Sequence, residues 1–140
     1  MTTQEHARCR RYSVDADACN LVEIRRFVES VAREVRLDEE RTFDLKVAVS
    51  EACANAVEHS GSGRYPVQIA AWFYPDRVQL DISDGGDFRL PCMAPDRRRE
   101  NRGLGFPLMV ALMDEVRVAK QQDGGTRVTL LLYLDNRGVA

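Results

Sequence analysis

The sequence predicts an α+β fold, in which helices lie on one face of a mixed, mostly antiparallel sheet. Two segments with the apolar spacing of helices stand together near the start of the chain. Segments with the alternating pattern of strands follow, and short turns separate two pairs of them. Helices grouped apart from hairpins favour a two-layer sandwich over an alternating parallel fold.

The two long predicted helices cover residues 21–37 and 39–60. In the first, apolar residues recur at spacings of three and four, the period of an amphipathic helix. They are Leu21, Ile24, Phe27, Val28, Val31 and Val35. Asp38 can cap the second helix, and the segment Gly61-Ser62-Gly63 ends it. The middle of the second helix is rich in alanine, so we expect it to approach the sheet closely.

Short strands are predicted on both sides of these helices. A brief edge strand is expected at 11–14, before the first helix. After the second helix, residues 67–74 and 77–83 alternate between apolar and other side chains. Because Pro75-Asp76 between them is typical of a tight turn, the pair is predicted to be a hairpin.

The last third of the chain begins with residues 84–102, which have neither a helical nor a strand period. A segment of this length without regular structure in a compact domain is usually a functional loop. A helix at 103–113 and strands at 116–120 and 126–134 are predicted to follow it.

Length and charge limit the classes of function. A chain of 140 residues fits one domain, which we expect at 11–136 after a flexible N-terminus at 1–10. The formal net charge is −2, with acidic and basic residues mixed, so no overall field attracts nucleic acid or an anionic membrane. The basic run Arg97-Arg98-Arg99 has no interleaved aromatic residues, which disfavours direct binding of nucleic acid.

The cysteines and the apolar runs indicate a cytoplasmic protein without a membrane anchor. The four cysteines lack C-x-x-C spacing, and a chain of this length does not need disulfides. They are therefore interpreted as reduced thiols. No apolar leader opens the sequence, and no apolar run is long enough to cross a bilayer.

Glu51 and Asn55 form the first candidate site. They are four residues apart on the second predicted helix, so they share one face, and His59 lies one turn further along. An amide oxygen is a hard, neutral ligand suited to Mg²⁺ beside phosphates, and a nearby carboxylate can accept the proton of an attacking hydroxyl. Taken alone, the pattern is more often an ordinary polar helix face.

Three glycine-containing segments are the other candidates. Asp84-Gly85-Gly86-Asp87 follows a strand and either holds the edge of a flat base or is a simple turn. Arg102-Gly103-Leu104-Gly105-Phe106 enters a helix whose free N–H groups can hold phosphate, or its glycines serve chain geometry alone. The segment 124–129 is a hairpin on its own, although Thr129 can offer a hydroxyl near Asp84 if their strands are adjacent.

In this order, the four segments resemble the N, G1, G2 and G3 boxes of the histidine-kinase/gyrase/Hsp90 ATPase superfamily. The resemblance covers nearly the whole chain. It is closest to the free-standing serine kinases that act as bacterial anti-sigma factors. Their pattern E-A-x-x-N-A-x-x-H matches Glu51–His59, and their pattern G-L-G-x-x-L-[MI] matches Gly103–Met109. The fold implied is a two-layer sandwich of the Bergerat type.

The resemblance implies that the chain binds ATP and Mg²⁺, and it implies a role for each matched residue. Asn55 would bind Mg²⁺, and Glu51 would act as the base toward a substrate serine. The other implied nucleotide contacts are Asp84 at the adenine amino group, Gly86 under the base, Arg102 at the γ-phosphate, Gly103, Leu104 and Gly105 at the phosphates, and Thr129 on the adenine side.

One position departs from the family pattern. The G1 box usually reads D-x-G-x-G, whereas its fifth position here is Phe88. We expect the replacement of that glycine to narrow the adenine pocket or to change how the following loop hinges. It should therefore affect the affinity for ATP more than the fold.

The function implied by the resemblance is that of an ATP-dependent protein-serine kinase. It would phosphorylate an anti-sigma factor antagonist of the STAS type, would sequester a sigma factor when not engaged with the antagonist, and would form a homodimer. The alternative is a non-catalytic ATP-binding module that only holds a partner. Because such a module needs no base, Glu51 favours the kinase.

Overall fold

A computed structural model describes residues 8–14, 21–60, 67–84, 105–120 and 126–134. These residues form three helices and five strands. In chain order they are β1 (Arg8–Val14), α1 (Leu21–Glu34), α2 (Glu39–Ser60), β2 (Val67–Phe73), β3 (Arg77–Asp84), α3 (Gly105–Leu112), β4 (Glu115–Lys120) and β5 (Thr126–Tyr133).

The strands form one sheet in the order β1-β2-β3-β5-β4, and every neighbouring pair is antiparallel. Alternate side chains of the central strands are buried, as expected for a sheet with one covered face. On β2, β3 and β5 they are Val67, Ile69, Ala71, Phe73, Val78, Leu80, Ile82, Val128, Leu130 and Leu132. The predicted antiparallel hairpin of β2 and β3 is present.

The helices α1 and α2 pack against each other, and α2 also contacts β2, β3, β5 and α3. The face of α2 that enters the core is made of small side chains, which let the helix lie close to the sheet. They are Ala48, Ala52, Cys53 and Ala56, and each is at most 3% exposed. None of the helices that the structure describes is long and apolar enough to cross a membrane.

Strand β1 is longer than predicted, because it begins at Arg8 and not at Arg11. The residues assigned to the flexible N-terminus therefore include three that pair with β2. Arginine side chains on the helix-facing side of β1 explain the pairing. Arg8 and Arg10 both form ion pairs with Glu34 of α1, and the Arg10 guanidinium lies 5.2 Å from the centre of the Phe27 ring.

Helix α1 ends at Glu34, three residues before the predicted end. Arg36 adopts a positive φ of 63°, and the Leu37 amide then donates to the Ala32 carbonyl at 3.0 Å. This is the hydrogen-bond pattern of a Schellman motif, which usually has glycine at the left-handed position. The predicted loop after Asp84 lies outside the described residues.

Helix α2 begins immediately after Asp38, as predicted. The Asp38 carboxylate accepts a hydrogen bond from the Arg41 amide at 2.7 Å, which satisfies one of the free N–H groups of the first turn. Because a helix has a constant rise and rotation per residue, the start of α2 determines where Glu51 and Asn55 lie relative to the sheet.

We expect Asp38→Ala to lower the free energy of unfolding by about 1 kcal/mol, because it removes this cap. Asp38→Asn is the matched control, since asparagine caps equally well. Urea denaturation followed by circular dichroism measures both variants. An alanine variant as stable as the unsubstituted chain would show that the cap contributes nothing to α2.

Candidate functional site

Helix α2 carries Glu51 and Asn55 one turn apart. Glu51 is half-buried, whereas Asn55 is only 6% exposed. A buried amide is unusual, since most buried polar groups in proteins serve a hydrogen bond or a ligand. The two side chains thus lie in different surroundings, one at the surface of the helix and the other at its buried side.

Asp84 is the last residue of β3, and its partner across the ladder is Thr126 at the start of β5. The Thr126 side chain is 1% exposed. Alternation along β5 places it on the same face as Val128 and Leu130, which is the face covered by the helices. A buried hydroxyl therefore lies on the strand position next to Asp84.

Thr129 lies elsewhere than expected. Strands β3 and β5 are adjacent, but Thr129 is paired with Asp81 and not with Asp84. Its hydroxyl donates to Asp81 Oδ1 at 2.8 Å. Thr126 and Thr129 are three residues apart on a strand, so their side chains point to opposite faces. The register thus places Thr126, and not Thr129, opposite Asp84.

Helix α3 begins at Gly105 and packs against α2. The elements that carry Glu51, Asn55 and Asp84 are also in contact, because α2 crosses β3. Four of the predicted nucleotide contacts lie outside the described residues. They are Gly86, Arg102, Gly103 and Leu104.

A groove beside Glu51 was not predicted from the sequence. It runs along α1 and α2, has a volume of about 450 Å³, and is lined by Arg25, Phe43, Lys46, Val47, Ser50 and Glu51. Phe43 is the signal that was overlooked, because a phenylalanine stands there outside the apolar stripe that α2 buries. The groove makes Glu51 accessible from the helical surface.

Ion pairing fixes one side of this groove. Lys46 Nζ donates to Glu29 Oε2 at 2.6 Å, and this hydrogen bond lowers the pKa of the Glu29 carboxyl below its usual value. Glu29 therefore remains ionised at neutral pH. The pair holds α1 and α2 together directly beside the groove.

Known proteins resemble this chain in both sequence and fold. The sequence model of the histidine kinase-like ATPase domain matches residues 14–132. The chain belongs to this family. The match begins at the last residue of β1 and ends within β5, so it includes α2, the end of β3 and the start of α3.

Individual members of the family are similar over most of the chain. The serine-protein kinase RsbW of Bacillus velezensis is 36% identical over 110 residues, which are 69% of this chain and 67% of the relative. The anti-sigma F factor of Bacillus thuringiensis is 33% identical over 106 residues, which are 69% of this chain and 73% of the relative. These names agree with the predicted serine kinase and with its predicted anti-sigma role.

A solved structure supports the family fold. It contains the RsbU and RsbW domains of a Mycobacterium tuberculosis protein, with a TM-score of 0.68 and 22% identity. The similarity covers 91% of this chain and 32% of that protein, so our chain spans about a third of its length. This similarity confirms the predicted α+β sandwich, and the family model confirms the predicted family.

The register predicts different effects for two threonine substitutions. We expect Thr126→Val to weaken Mg·ATP binding about tenfold, because it removes a buried hydroxyl beside Asp84 without changing the side-chain shape. Thr129→Val should leave the affinity within about twofold, because Thr129 lies on the helix-free face. Isothermal titration calorimetry with Mg·ATP compares them. A larger loss in Thr129→Val than in Thr126→Val would contradict the assignment.

Proposed function

We propose that the chain is an ATP-dependent protein-serine kinase that phosphorylates an anti-sigma factor antagonist and otherwise sequesters a sigma factor. The observation that carries the proposal is the pairing on α2 of an accessible carboxylate, Glu51, with a buried amide, Asn55. A module that only binds ATP and a partner could use the amide as a metal ligand. It would need no carboxylate that faces an open groove.

Asn55 and residues on the elements that contact α2 fit a Mg·ATP site. Asn55 supplies a neutral oxygen of the kind that Mg²⁺ accepts beside phosphates, and Thr126 supplies a buried hydroxyl next to Asp84. Gly105 opens α3, and the first N–H groups of a helix have no partner within the helix, so they can bind an anion. When bound, the metal would neutralise charge on the transferred phosphoryl group.

Glu51 is proposed to act as the base. Its carboxylate accepts the proton of a substrate serine hydroxyl while the serine oxygen bonds to the γ-phosphorus, and the bond from that phosphorus to the ADP oxygen breaks. Phosphoryl transfer depends mainly on positioning and on stabilising charge. The role of α2 is therefore to hold Glu51 at a constant distance from the metal ligand, and a single turn of helix does so rigidly.

The partners are proposed from the relatives. One relative is named as a serine-protein kinase and another as an anti-sigma F factor. We therefore propose a STAS-type antagonist as the phosphorylated protein, a sigma factor as the sequestered protein, a homodimer as the assembly and the cytoplasm as the location. The mixed surface charge provides no general attraction for nucleic acid.

Single-turnover phosphorylation tests both the activity and the base. The chain is mixed with γ-labelled Mg·ATP and with purified STAS-type antagonists from the same genome. We expect one antagonist to be labelled on serine. Glu51→Gln should slow this transfer by roughly 10²-fold or more, because it keeps the shape of the side chain but removes the proton acceptor.

Binding measurements separate the chemical step from nucleotide affinity. Mg·ATP should bind Glu51→Gln almost as tightly as the unsubstituted chain, whereas Asn55→Ala should lose Mg²⁺-dependent binding. A Glu51→Gln variant that labels the antagonist at the original rate would remove Glu51 as the base. A chain that binds Mg·ATP but labels none of the antagonists would instead be a binding module.

A further inference from the structure

The groove between α1 and α2 presents apolar side chains that the fold does not use. Phe43 is 63% exposed. Val47 lies one turn after Phe43 on α2 and lines the same groove. Single exposed apolar residues are common, but a phenylalanine next to a valine on a concave surface is typical of a binding site.

From this arrangement we infer that the groove is the docking surface for the protein that is phosphorylated, and that Phe43 is its anchor residue. The inference rests on the proposed kinase function. It adds where the substrate protein binds and which side chain contributes most to its affinity. Aromatic side chains at the centre of an interface often dominate its energy, since they bury a large apolar area with few rotatable bonds.

The position of Glu51 identifies the occupant. Glu51 lines the groove that Phe43 also lines, and the two residues are about two helical turns apart, roughly 12 Å along the axis. A protein whose serine reaches Glu51 must therefore cover the surface next to Phe43. A small molecule has no need of contacts that extend this far from the reacting atoms.

The charge of Arg25 favours an acidic group on the part of that protein that lies beside it. Lys46 is neutralised by Glu29, whereas Arg25 forms no ion pair with any of the residues that the structure describes.

The docking surface can be tested by steady-state kinetics. The substrate is the antagonist that the unsubstituted chain phosphorylates. Phe43→Ala should raise the KM for that antagonist about tenfold or more and leave kcat within about twofold, because it removes binding energy distant from the reacting atoms. The KM for Mg·ATP should not change. Val110→Ala is the matched control, since Val110 is 52% exposed on α3.

Photo-crosslinking gives a second measurement that does not depend on turnover. A benzophenone amino acid placed at position 43 should capture the antagonist, and the same group at Tyr133, which lies on the helix-free face, should not. Capture at 133 but not at 43, or an unchanged KM in Phe43→Ala, would overturn the docking surface and leave the kinase intact. If the unsubstituted chain labels no antagonist, the proposed function fails and this inference fails with it.

Discussion

The packing of α2 on the sheet is the contact on which the rest of this structure depends. Ala48, Ala52 and Ala56 follow one another along the buried side of the helix, and all three are almost fully excluded from solvent. Side chains this small bring the helix backbone close to β3, where Leu80 and Ile82 are buried beneath it. Larger residues at these positions would push α2 away from β3.

Because only one side of α2 packs against the sheet, its other sides can contact ligands or partner proteins. Asn55 lies at the buried side of α2, and α2 contacts both β3 and β5, the strands that carry Asp84 and Thr126. Glu51 and Phe43 lie on the groove that faces away from the core. One helix therefore separates a polar site suited to a nucleotide from an apolar surface suited to a protein, and Glu51 is the residue between them.

The sequence alone predicts the secondary-structure elements, including α2, because helical spacing, the Asp38 cap and the alternation in β2 and β3 are all local signals. The sequence alone does not predict features that depend on how one strand pairs with another. The predicted β1 is too short for two reasons. Its arginines obscure the alternation that is typical of a strand, and the residues that they contact, Glu34 and Phe27, are distant in the sequence. Thr129 is predicted near Asp84 but lies opposite Asp81, because strand register is not visible in a single segment. Counting alternation back from Val128 would have identified Thr126.

The central claim is that nucleotide binds where α2, the end of β3 and the start of β5 meet. Backbone amide NMR during titration with Mg·ATP tests it most directly. The account predicts that the largest shifts occur at residues 51–55, 84, 105 and 126, while Arg11, Trp72 and Thr129 on the helix-free face change little. Shifts concentrated on the helix-free face, or no shifts at saturating Mg·ATP, would contradict it.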